Sequence, residues 1–134
     1  MRLSSAVMFV SDLDRSVEFF CDLLQLNVAV RDDSAALLVG PENYELYLRR
    51  KGARSSHPLC SVGIQYLMWS ADSMEDLQRC EDTLRRESTH VRRQHLDGFD
   101  VVEGPDPDHV LVMIVYPGPE QVTRHEIIPR IYSW

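Results

Sequence analysis

Five histidines, three cysteines and twenty-one acidic residues are the groups in this chain that could bind a metal, attack an electrophile or move a proton. Their spacing removes most of that chemistry. The chain has no Gly-x-Ser-x-Gly elbow, no glycine-rich phosphate loop and no His-Glu-x-x-His, so serine-hydrolase, nucleotide and zinc-protease readings have nothing to stand on. Cys21, Cys60 and Cys80 are odd in number and lack Cys-x-x-Cys spacing, which reads as structural thiols instead of a metal site or disulfide framework. His57 and His90 lie in or beside segments of loop composition, and His125 belongs to the C-terminal run, so solvent placement is expected for all three. His95 is the exception, near the end of an expected strand, where an imidazole could transfer a proton.

Those groups have to be held by elements whose pattern occurs twice. Leu3 to Val10 is a β-rich run, and Asp12 or Asp14 can cap a following helix with Val17, Phe20, Cys21 and Leu24 on one stripe. Three strands are expected next, at residues 27–31, 35–39 and 44–49, split by Asp32-Asp33 and by the turn composition of residues 40–43. After Gly52, Ser55, Ser56 and Pro58, which have linker character, residues 62–71 form another apolar run and Ser73 to Asp76 has the form of a capping box. Leu77, Cys80 and Leu84 stripe the second helix. Strands are then expected at residues 89–96, 99–103 and 110–116, with Gly98 and residues 104–108 as turns. The chain therefore reads as βαβββ followed by βαβββ, and a repeated unit places function where the copies meet.

Composition bounds what such a pair can do. At 134 residues the chain is long enough for one full core, and its hydrophobic fraction of 44% is ordinary for a globular protein. A net charge of -7 argues against nucleic acid as a partner, because phosphate backbones demand a basic face. Arg49 to Arg54 and Arg92-Arg93 are the basic clusters, and each reads as a solvated linker or strand edge. No apolar stretch is long enough to span a bilayer, and the first strand begins at once, so no membrane association and a cytoplasmic location are expected.

The segment from Val10 through Asp12-Leu13 and Ser16 to Phe19-Phe20 resembles the opening signature of the vicinal oxygen chelate superfamily, a strand, Val-x-Asp-Leu-x-x-Ser and a helix with paired aromatics. Gly98-Phe99 and Asp106-Pro-Asp-His109 are similar to that family's Gly-Phe and Asp-Pro-Asp-Gly hairpin, and the resemblance covers nearly everything from Leu3 to Tyr116. The family groups glyoxalase I, extradiol dioxygenases, fosfomycin-resistance enzymes and bleomycin-binding proteins. It implies an α+β fold, two tandem βαβββ modules forming a curled mixed-sheet cup, within a single domain spanning residues 1–134. Module 1 would occupy residues 2–50, module 2 residues 61–117, with a linker at 51–60 and a docking tail at 118–134.

In metal-using members, ligands stand on the first and last strand of each module. Carried over, those positions fall on Ser5, Glu45, Tyr66 (or Gln65 with a one-residue slip) and Met113. A hydroxyl, a phenol and a thioether are poor ligands for a hard or borderline divalent ion. The resemblance thus implies a cup whose usual metal site is degenerate: no cofactor is expected, and a divalent metal is disfavoured.

Alternation along strands adds that Ser5, Val7 and Phe9 would face the cup, with Ala6, Met8 and Val10 on the helix. Tyr66, Met68 and Ser70 would do the same in module 2, joined by Met113 and Val115. The expected ligand wall is Ser5, Val7, Phe9, Tyr66, Met68, His95, Phe99 and Met113, which suits an aromatic or apolar organic ligand. The bland alternative is a cup filled by its own side chains. Glu45 is either a solvent-facing strand residue or, if it faces an apolar cup, a carboxylate that desolvation would turn into a general base. Two functions follow: a metal-free small-molecule binder, or a lyase, isomerase or dioxygenase that uses Glu45 as metal ligand or base. His109 replaces the glycine of the family turn, where His tolerates a positive φ. Ile127, Ile128, Ile131, Tyr132 and Trp134 make the tail too apolar to be free, so a lid or a strap in a homodimer is expected.

Overall fold

A helix needs something to take up its first amides, and Asp12 does so here. Its Oδ1 accepts from the Arg15 N–H at 3.0 Å, and α1 (Leu13–Leu24) follows. The computed structural model describes residues 5–51, 67–96, 98–118 and 121. Over these the chain is α+β, and it divides into two units, residues 1–57 and 58–134, at a point inside the stretch of linker composition.

The first unit contains β1 (Ser5–Val10), α1, β2 (Asn27–Arg31), β3 (Ala35–Val39) and β4 (Glu45–Arg50). Its sheet has the order β1-β4-β3-β2, with β1 and β4 parallel and the other pairs antiparallel. Val10, Ala36, Leu38, Leu46 and Leu48 are no more than 2% exposed and, with the buried stripe of α1, form the unit's core. That stripe runs through Leu13, Val17, Phe20 and Leu23, steps of four, three and three that follow the 3.6-residue turn. Phe19 joins it edge-on to Phe20, whereas Cys21 and Leu24, expected in the stripe, are only half-buried. Gln25 ends the helix in the left-handed region at φ 54°.

The second unit repeats the order: β5 (Leu67–Ser70), α2 (Met74–Glu87), β6 (Arg92–Leu96), β7 (Phe99–Pro105) and β8 (Leu111–Tyr116), in a sheet ordered β5-β8-β7-β6. Ser73 Oγ accepts from the Asp76 N–H at 3.1 Å, the forward half of a capping box. The return half lands one residue early, from the Asp72 N–H to Asp76 Oδ2 at 3.2 Å. Leu77, Cys80 and Leu84 are buried on α2, as their spacing requires. Glu81 shares that buried side, and Arg85 at 2.7 Å and Arg93 at 3.1 Å neutralise it.

Among the described residues, two boundaries differ from the sequence reading by more than one residue. Strand β6 starts at Arg92 instead of residue 89, because Ser88 first closes α2 through its N–H to Leu84 and then accepts the His90 N–H on its hydroxyl. Strand β7 continues through Gly104 and Pro105, which look like turn residues in the sequence. Gly104 is there for clearance: a Cβ at that position would lie 3.0 Å from Val91 Cγ2 and 3.4 Å from Leu84 Cδ2. The turn itself begins at Asp106, whose Oδ1 accepts from the Asp108 and Val110 N–H groups at 2.8 and 2.9 Å. His109 takes the positive φ of that turn, 64°. No helix among the described residues is long and apolar enough to cross a membrane.

Candidate functional site

Strand pairing decides which side chains share a face, since residues directly opposite one another point the same way. In the first unit Ser5 pairs with Glu45, Val7 with Tyr47 and Phe9 with Arg49. On the other side of β4, Val39 pairs with Glu45, Leu37 with Tyr47 and Ala35 with Arg49. The intervening residues Leu46 and Leu48 go to the core beneath α1, which leaves Glu45, Tyr47 and Arg49, with Val7 and Phe9 beside them, on the face away from the helix. This face is open: Val7 is 65%, Phe9 55% and Tyr47 37% exposed, while Leu37, Val39 and Glu45 are half-buried.

Along β4 that face carries a row of polar groups two residues apart. The Tyr47 hydroxyl donates to the Glu45 carboxylate, and this bond, reinforced by the negative charge beside it, raises the phenol's pKa. Glu45 is the one carboxylate among the described residues of the face. Arg49 ends the row, exposed, opposite Phe9. Tyr47 is absent from the residues picked out of the sequence, and Arg49 enters there only as part of a basic cluster read as solvated linker or strand edge, yet both follow from Glu45 by simple alternation at i+2 and i+4.

In the second unit Met68 pairs with Met113, Ser70 with Val115, and Val101 and Glu103 with Val115 and Met113. Phe99, Val101, Met113 and Val115 are 6%, 3%, 1% and 0% exposed and form one apolar cluster, against which Met68, Leu96 and Leu111 pack. Met113 is therefore surrounded by side chains and not by open space. Glu103, buried at 8% on this same face, has Arg92 Nη1 at 3.9 Å. His95 does not share the face. Leu96 pairs with Phe99, so His95 falls opposite Asp100 on the side of α2. There its Nδ1 lies 2.8 Å from Asp100 Oδ1, and the pairing with His95 and then with Arg93 holds the Asp100 carboxyl below its ordinary value despite partial desolvation. Tyr66 lies outside the described residues.

The structure thus puts Glu45 on one face with Val7 and Phe9, and packs Met68 against the cluster of Phe99 and Met113, each group within its own unit. Among the described residues no three His, Cys, Asp or Glu side chains converge so as to hold a metal ion. A separate polar hollow of about 590 Å3 lies where β1 runs into α1, lined by Asp12, Asp14, Arg31, Asp32 and Arg50 among others. Three of its four acids are committed to local structure: Asp12 caps α1, Asp14 pairs with Arg31, and Asp32 accepts the Ser34 and Ala35 amides.

Residues 2–114 match the sequence profile of the Glyoxalase/Bleomycin resistance protein/Dioxygenase superfamily. Among solved structures the chain is similar to a glyoxylase/bleomycin resistance protein/dioxygenase domain from Frankia sp., at 24% identity and a TM-score of 0.73 over 86% of this chain and 96% of that one. It is also similar to a lactoylglutathione lyase from Agrobacterium tumefaciens, at 16% identity and a TM-score of 0.62 over 85% and 92% of the two chains. The fosfomycin resistance protein FosX from Mesorhizobium loti aligns at 12% identity and a TM-score of 0.67, over 90% and 95%. At these identities the likeness establishes the fold alone. No curated protein matches the chain.

Proposed function

The chain belongs to the glyoxalase/bleomycin resistance protein/dioxygenase superfamily, and from that premise we propose that it binds a small aromatic or apolar organic molecule without a divalent metal. One observation carries the reading: an exposed apolar sheet face, Val7 and Phe9 with Leu37 and Val39, on which the Glu45–Tyr47 pair supplies the polar contacts. Apolar walls with a few placed polar groups are what a small-molecule site requires. The donor set supports the absence of metal. Of the positions where the family places ligands, 113 carries a thioether buried at 1% in an apolar cluster, and Glu45 is engaged by Tyr47. These residues do not fit a hard or borderline cation.

A second reading is favoured by Glu45 being the one carboxylate described on that face: an enzyme in which it acts as general base or metal ligand. Elemental analysis of the purified protein separates the two. The binder contains substoichiometric Mn, Fe, Co, Ni and Zn, and one tightly held ion per chain would overturn it. If the protein instead converts a compound by base chemistry, Glu45→Gln abolishes that turnover while the unfolding midpoint stays put.

A further inference from the structure

Adjacent arginines at the end of β4 go to opposite sides of the sheet. Arg50 lines the polar hollow beside Asp12 and Asp14. Arg49 shares the open face with Glu45 and Tyr47, flanked in register by Phe9 on one side and Ala35 on the other. It has no hydrogen-bond or ion-pair partner among the described residues, in a chain whose net charge is -7. We propose that Arg49 is the anion-recognising end of the ligand site, and that the site selects a flat aromatic acid with a hydroxyl at its far end. The proposal rests on the reading of this face as the ligand surface.

The geometry supports that polarity. Strand residues two apart recur at about 6.6 Å, so Glu45 and Arg49 are about 13 Å apart along β4. An elongated aromatic molecule laid along the strand meets Val7 and Phe9 on one flank and Leu37 and Val39 on the other. Its carboxylate reaches Arg49, whose planar guanidinium matches two oxygens at once. Its hydroxyl reaches Glu45, which accepts one hydrogen bond from Tyr47 and retains lone pairs for a second donor. An overall negative protein repels anions, so an acid that binds needs a dedicated cation, and Arg49 is placed to be it.

Para-hydroxycinnamate, its methyl ester and cinnamate are suitable probes, titrated by fluorescence or calorimetry into the full chain at low salt. The acid is expected to bind more tightly than the ester. Arg49→Gln should weaken the acid about ten-fold, the size of one charge-assisted contact, and leave the ester unchanged. Glu45→Gln should weaken para-hydroxycinnamate and leave cinnamate unchanged. Phe9→Ser, at an exposed position, should weaken all three probes while moving the unfolding midpoint only slightly. If Arg49→Gln affects acid and ester alike, or neither, the anion proposal falls while the face remains a binding surface through the Phe9 result. If none of the probes binds saturably, or Phe9→Ser changes nothing, the reading of the face itself falls.

Discussion

Among the described residues, Asp106 is the one whose carboxyl departs furthest from its ordinary value. Burial raises its pKa from 3.8 to about 6, against the opposing pull of two backbone N–H groups on its Oδ1. In the unfolded chain it ionises near the ordinary carboxylate value, so between about pH 4 and pH 6 the folded state holds more protons. Stability contributed by this group is therefore present at low pH and lost as the pH rises through 6, by roughly 3 kcal/mol. Asp100 works in the opposite sense: its carboxyl is held low by His95 and Arg93, and its contribution is lost only as the pH falls below about 4. Asp106→Asn keeps the Oδ1 acceptor and removes the titration. Denaturant unfolding at pH 4, 5, 6 and 7 should show the fall in stability between 4 and 6 flattened in the variant, and an unchanged slope would remove Asp106 as its source. The sequence marks Asp106 as a turn residue, but whether a turn carboxyl is solvated or sealed depends on what packs around it, and that has no local signature.

At the scale of elements, the two faces of the first sheet make opposite demands. Leu48, on the helix side, is fully buried, whereas Phe9 is 55% exposed on the open side. Leu48→Ala should cost about 2–5 kcal/mol of unfolding free energy, and Phe9→Ser about 0.5 kcal/mol or less. Equal costs in denaturant titrations would overturn the face assignment. This assignment was legible in the sequence, because period-two alternation sets Val7 and Phe9 apart from Met8 and Val10 and needs no tertiary information. Strand β7 was less so: Gly104-Pro105 has turn composition, and only the approach of Val91 and Leu84 explains the glycine in a strand. His95 and Phe99 were both expected on the ligand wall, yet the pairing of Leu96 with Phe99 sends them to opposite faces. A two-residue connection is visible in the sequence, but its effect on facing follows only once the register is known.

For the whole molecule, the tandem βαβββ organisation was the most legible feature, since each half states its own strands, cap and helix stripe. What each open face meets was not. The first unit leaves Val7 and Phe9 exposed while the second buries Met113 and Val115 almost completely, although both sets obey the same alternation. Alternation reports a face and is silent about its cover. Homodimerisation remains a proposal carried by the apolar C-terminal residues Ile127, Ile128, Ile131, Tyr132 and Trp134, which lie outside the described residues. Light scattering at micromolar concentration should give twice the chain mass of 15.5 kDa, and the monomer mass would contradict it.

The parallel pairing of first and last strands also sets the order of events during folding. Ser5 finds Glu45, and Leu67 finds Val112, only after loops of about 40 residues have closed, a cost that grows slowly with length but falls before any ladder contact repays it. Strand β1 must therefore wait, unpaired, until β4 leaves the ribosome, with α1 and the hairpin of β2 and β3 as the local structure available in the meantime. Each sheet draws all its strands from its own unit, so neither closure needs a strand of the other. The stretch of chain that must be made before an apolar first strand can be covered is therefore one unit long and not two, which shortens its exposure to other chains.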